Sequence, residues 1–81
     1  MTLNKLIQLL SSQQVYYNLG YSQYSQKRYK EAINSLAESL ELEIINFEIC
    51  DLLSKSLKAI GDFETAEMYS QKATELLLNK I

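Results

Sequence analysis

Sliding the chain by 34 residues places Leu19 on Leu53, Ser22 on Ser56, Ala32 on Ala66, Glu41 on Glu75 and Leu42 on Leu76. The same shift lays Tyr29 on Phe63, Gly20 on Ser54 and Ser39 on Ala73, so side-chain size is kept where identity is not. A fixed period near 34 constrains the fold more than any local feature. It is the length of one helical hairpin, and such hairpins bury their apolar faces only by stacking on one another. The chain is therefore expected to be all-α, a stack of antiparallel helical hairpins with about five helices, near 3–10, 13–26, 30–43, 46–59 and 63–78.

Spacing within each copy is helical. Tyr16, Leu19 and Gln23 recur at three and four, and Tyr29, Ala32, Ile33, Leu36 and Leu40 do so after the polar break "SQKR". The second copy breaks at "IGD", where Gly61 suits a left-handed C-cap and Asp62 an N-cap. Three units follow: a short N-terminal helix in 1–12 marked by Leu3, Leu6, Ile7 and Leu10, a first repeat over 13–46, and a second over 47–81 that includes an apolar C-terminal extension. Gly20 sits inside a helical pattern, where glycine costs roughly 1 kcal/mol relative to alanine, so it marks a packing need. With Ala32 it makes holes for knobs at Tyr16, Leu19, Tyr29 and Leu36, which lets two helix axes approach to about 8 Å.

Composition narrows the function. Eighty-one residues make one domain, which buries only about 60% of its unfolded surface. A net charge of −2 and a pI near 5.0 argue against nucleic acid as a partner, since phosphate-tracking surfaces are clustered and basic. The cluster Lys27, Arg28 and Lys30 reads as a solvated helix end. Cys50 is the only cysteine, so an internal disulfide is impossible and a reducing cytoplasm fits. Asn4, Lys5 and Gln8 interrupt the apolar opening, which argues against a signal peptide or a membrane span. Enzymatic activity is not expected: histidine is absent, Cys50 falls at a helix-core position, and Glu38, Glu41 and Glu43 line an exposed face without a pocket. No metal-ligand spacing or cofactor motif is present.

The stretch "YYNLGYSQYSQKRYKEAINSLAESLEL" resembles the tetratricopeptide repeat, through Tyr16, Leu19, Gly20, Tyr29, Ala32, Leu36 and Ser39. The second copy, from Phe47 to Leu76, matches through Leu53, Ser54, Leu57, Phe63, Ala66 and Ala73. Departures are Gln23, where that family prefers tyrosine, Ser70, where it prefers a bulky apolar residue, and Ile44, where proline usually ends the repeat. They suggest locally looser packing.

The resemblance implies a protein–protein interaction module, such as an adaptor, scaffold or chaperone-like protein. It would bind a peptide segment or partner helix in the groove lined by the first helix of each hairpin. The implied groove positions are Gln14, Tyr17, Asn18, Tyr21, Tyr24 and Ser25 in the first copy, then Glu48, Asp51, Lys55 and Lys58 in the second. Of the residues with which some members grip a terminal carboxylate, only Asn18 is kept, so that clamp is not expected. Tyr17, Tyr21 and Tyr24 form a stripe with two readings: a contact surface, or a face covered by the N-terminal helix. Two hairpins also leave an apolar end at Leu77, Leu78 and Ile81, where a homodimer is expected. The alternatives are an RNA-binding helical-hairpin repeat, which the acidic balance and Gly20 oppose, and a small ligand bound between hairpins.

Overall fold

The computed structural model describes residues 2–40 and 46–78. Four helices follow one another, α1 (Leu3–Ser25), α2 (Tyr29–Leu40), α3 (Phe47–Ala59) and α4 (Phe63–Leu78), with no strand among the described residues. The stacked-hairpin architecture is the one that the period implies. The helix count is corrected from about five to four, because the helices expected over 3–10 and 13–26 are a single element. Thr2 caps its start, its Oγ1 accepting the Lys5 N–H at 3.2 Å. The intervening "SSQQ" holds neither glycine nor proline, and residues of these types cost less than about 0.7 kcal/mol each inside a helix, so nothing stops propagation.

That continuity sets the shape of the molecule. At 1.5 Å per residue α1 is about 34 Å long and the described part of α2 about 18 Å, so the first residues of α1 lie beyond the level of Leu40. Gln13 and Ser39 cross-link the two helices: Gln13 Nε2 donates to the Ser39 carbonyl at 3.2 Å, and Ser39 Oγ donates to the Gln13 carbonyl at 3.1 Å. The expected end of α2 at 43, the turn at Glu43 to Asn46 with Ile44, and Ile81 fall wholly or in part outside the described residues.

Both hairpins turn by the same device. In α1 the Arg28 N–H donates to the Gln23 carbonyl at 2.9 Å and the Lys27 N–H to the Tyr24 carbonyl at 2.9 Å. In α3 the Asp62 N–H donates to Leu57 at 3.0 Å and the Gly61 N–H to Lys58 at 3.1 Å. These are paired 6→1 and 5→2 closures around a left-handed residue, Lys27 at φ 64 and Gly61 at φ 86. Asn46 then caps α3, its Oδ1 accepting from the Glu48 N–H at 2.8 Å.

The core lies where α2 meets α3. Leu36, Ile49, Leu52, Leu53, Leu57 and Ala66 are buried there, and Tyr17, Tyr24, Ile33, Leu40 and Tyr69 pack around them. Ala32 and Ala66 are fully buried at the two hairpin crossings. A Cβ placed on Gly20 would lie 2.8 Å from Leu36 Cγ, so Leu36 fills the hole that the glycine leaves. Tyr16 and Leu19 depart from their expected role as knobs, because no described helix packs on their side of α1 and Leu19 stays 47% exposed.

Candidate protein-binding groove

Helices α1 and α3 line one broad face of the slab, whose extents are 40 × 29 × 16 Å. Two depressions follow one another along that face. The larger, of about 470 Å³, is walled by Tyr21, Tyr24, Ser25, Lys27, Tyr29, Leu52 and Lys55. The other, of about 280 Å³, is walled by Gln13, Gln14, Tyr17, Asn46, Glu48 and Ile49.

Most of the positions implied by the resemblance are therefore brought together. Gln14, Tyr17, Tyr21, Tyr24, Ser25, Glu48 and Lys55 line the depressions. Asp51 joins them through a 3.0 Å ion pair with Lys55, four residues on along α3. Asn18 lies beside them on the exposed side of α1, its Oδ1 accepting from Gln14 Nε2 at 2.9 Å. Lys58 is exposed and lines neither depression.

The tyrosine stripe exists because spacings of four and three return to one side of a helix. Tyr17 and Tyr24 are half-buried against the leucine core, while Tyr21 is 56% exposed. The rings are braced: Tyr17 and Tyr21 stand 6.4 Å apart at 42°, and Tyr24 meets Tyr29 edge-on at 5.6 Å. The reading in which the N-terminal helix covers this stripe is corrected. Residues 3–10 run straight on from it along the same helix and cannot fold back, and their Leu3, Leu6, Ile7 and Leu10 are themselves exposed.

Charge is graded along the groove. Glu48 and Asp51 stand toward the start of α3, Lys55 and Lys27 toward the hairpin turns. Burial, and next the Glu48 carboxylate, push the Tyr17 hydroxyl above its usual value of 10.0, so it stays a neutral donor. Lys55 is raised by its hydrogen bond to Asp51. Lys27, Tyr29 and Leu52 were not foreseen as lining residues. They arrive from the turn, α2 and α3, and only the packing of Tyr24 on Tyr29 connects them to the stripe.

The remaining candidates lie elsewhere. Leu77 and Leu78 are 49% and 61% exposed at the end of α4. Arg28 is paired with Glu31 at the first turn. On the opposite side Leu40, Cys50, Met68, Tyr69 and Lys72 surround an open apolar depression of about 330 Å³, a size that suits a small ligand. Cys50 is buried and unpaired, and its burial raises the thiol pKa against the opposing pull of Lys72. Among the described residues no three His, Cys, Asp or Glu side chains converge on a metal position, and no helix is long and apolar enough to cross a membrane.

Paired antiparallel hairpins with a lined face define a helical-repeat binding scaffold. Two family models, each described as "Tetratricopeptide repeat", match in succession at residues 13–44 and 47–76. The chain belongs to the tetratricopeptide repeat family, whose repeats mediate protein–protein contacts and scaffolding. No curated protein and no solved structure matches it significantly.

Proposed function

We propose that the protein is a small non-enzymatic adaptor that holds a helical or peptide segment of another protein along the α1–α3 groove. The observation that carries this reading is the open tyrosine stripe. Tyr17, Tyr21 and Tyr24 offer large apolar area with hydroxyl handles, on a rigid helix, and Tyr21 remains more than half exposed. The charge gradient suits a segment with a basic residue near Glu48 and an acidic one near Lys27 and Lys55. Acidic groups in the groove, and the neutralisation of Lys55 by Asp51, disfavour a phosphate backbone there.

The test compares the immobilised chain with its Tyr17→Ser/Tyr21→Ser/Tyr24→Ser variant in extracts of the native host, identifying retained proteins by mass spectrometry. Because Tyr17 and Tyr24 also pack on the core, capture is read at a temperature where the variant keeps its helical circular dichroism, and there the variant is expected to lose the retained partner. Retention by both forms would remove the groove from the function, and capture blocked only by alkylation or filling of the Cys50 depression would favour the small-ligand side.

A further inference from the structure

The stripe that makes the groove does not stop at Tyr17. Leu3, Ile7, Leu10, Gln14, Tyr17, Tyr21 and Tyr24 follow one another at alternating steps of four and three, so a single seam runs the length of α1. Its lower half is the tyrosine groove. Its upper half is an exposed apolar ledge over the first turns of the helix, with Leu3 72%, Ile7 52% and Leu10 47% exposed.

We infer that two copies of the chain clasp each other, each laying its α1 ledge antiparallel into the tyrosine groove of the other. This rests on the groove reading above and names an occupant for it. The seam is self-complementary about its middle. A two-fold axis beside Gln14 sets Ile7 of one copy opposite Tyr21 of the other, with Leu10 beside Tyr17 and Leu3 beside Tyr24, so aliphatic knobs meet aromatic walls at each step. Gln14 then faces its own copy. A lone polar residue in an otherwise apolar seam is the kind of group that fixes register.

Charge permits an α1-to-α1 contact between two copies. Every acidic residue lies at or after Glu31, and every basic residue except Lys5 lies at or after Lys27, so α1 is nearly free of charge. Interface centres are depleted in charge, and a two-fold contact between chains of net charge −2 needs a face without like-charge conflict. The contact area of two such helix faces falls at the low end of the interface range, below about 1,200 Å² in total, so the dimer should dissociate on dilution.

The test is cysteine cross-linking of the full chain, read on non-reducing gels, with sedimentation of the uncross-linked protein over a dilution series. Cys50 is 1% exposed and silent as a background thiol. Gln14→Cys alone should give a covalent dimer, as should Ile7→Cys/Tyr21→Cys. Within one chain those two positions are about 21 Å apart along the helix, too far for an internal disulfide. Ile7→Cys alone and Tyr21→Cys alone should remain uncross-linked. Ile7→Glu/Leu10→Glu, both at exposed positions, should leave the helical signal unchanged and give a monomer at every concentration. A monomeric parent over the whole series would overturn the proposal. So would efficient cross-linking through Ile7→Cys alone, which requires a parallel pair, or dissociation by Leu77→Glu/Leu78→Glu and not by the ledge variant. A monomeric parent that still captures a partner through its tyrosines leaves the groove reading standing, so the two failures are separable.

Discussion

Replacing Gly20 by alanine tests the closest approach in the fold. On helix propensity alone the change is favourable by about 1 kcal/mol, because glycine is that much worse than alanine in a helix interior. The new Cβ, however, would sit 2.8 Å from Leu36 Cγ and 2.9 Å from Cδ2. Leu36 is fully buried, and Cγ is the branch point of its side chain, so it cannot swing clear without disturbing Ile49 and Leu53 in the same core. Overpacking of this kind costs about 1–3 kcal/mol, which leaves a net loss of about 1 kcal/mol. For a domain of this size such a loss lowers Tm by roughly 4–8 °C. The decisive form is a double-mutant cycle in urea with Leu36→Ala, run in a stabilising osmolyte because that truncation alone costs about 2–5 kcal/mol. With Leu36 shortened the clash vanishes and Gly20→Ala should become stabilising, giving an interaction energy of about 2 kcal/mol. An additive cycle, or a Gly20→Ala variant that is more stable in the parent, would show that the glycine is not there to admit Leu36.

Three further outcomes follow from local geometry. Lys27→Gly should stabilise the chain and Gly61→Ala should destabilise it, each by about 1 kcal/mol, because both positions hold left-handed backbone that costs a side-chain-bearing residue about that much; equal effects of one sign on chemical denaturation would contradict the shared turn. Native Cys50 should react with a disulfide reagent far more slowly at pH 8 than the urea-unfolded chain, and a fast native reaction would place the thiol outside the core. Since the folded pKa of Tyr17 is raised, its contribution to stability is complete below the unfolded value near 10.0 and is lost as pH rises through the folded one. Tyr17→Phe should therefore flatten the alkaline fall in stability, and identical profiles would remove that attribution.

The repeat was legible because its size classes recur at one shift, and the burial of Ala32 and Ala66 follows directly from it. The continuity of α1 was hidden by the polar "SSQQ", which resembles a boundary in composition although none of its residues breaks a helix. The uninterrupted four–three seam was the signal that overrides it. Within the site, the tyrosines were readable from spacing, whereas Tyr29, Lys27 and Leu52 join them only through tertiary packing. The departures from the repeat pattern also resolve in pairs. Gln23 accepts a hydrogen bond from Ser35 Oγ at 2.6 Å, where the second copy has Leu57 and Tyr69, both part of the apolar core. Gly20 accommodates Leu36, while in the second copy the counterparts are Ser54 and the small Ser70, and Ser54 donates its hydroxyl to the Ala66 carbonyl at 2.8 Å. A single sequence displays each substitution, but the compensation is visible only across the helix pair.

The same pairing of copies shows why the two ends of the stack differ. In α2 the side chains that pack toward α3 are Ile33, Leu36 and Leu40. Their counterparts 34 residues on, in α4, are Glu67, Ser70 and Thr74, and Glu67 and Thr74 are exposed. A further hairpin stacked on α4 as α3 stacks on α2 would bury the Glu67 carboxylate, which accepts from Gln71 Nε2 at 3.4 Å, and the Ser70 and Thr74 hydroxyls in place of apolar side chains, so α4 is poorly suited to continued stacking. Leu77 and Leu78 are thus exposed beside a polar face, whereas the ledge of α1 runs unbroken into an aromatic groove. Exposed apolar surface that is continuous, nearly uncharged and mounted on one rigid helix favours association, which is why the proposed contact is drawn along α1 rather than at Leu77 and Leu78.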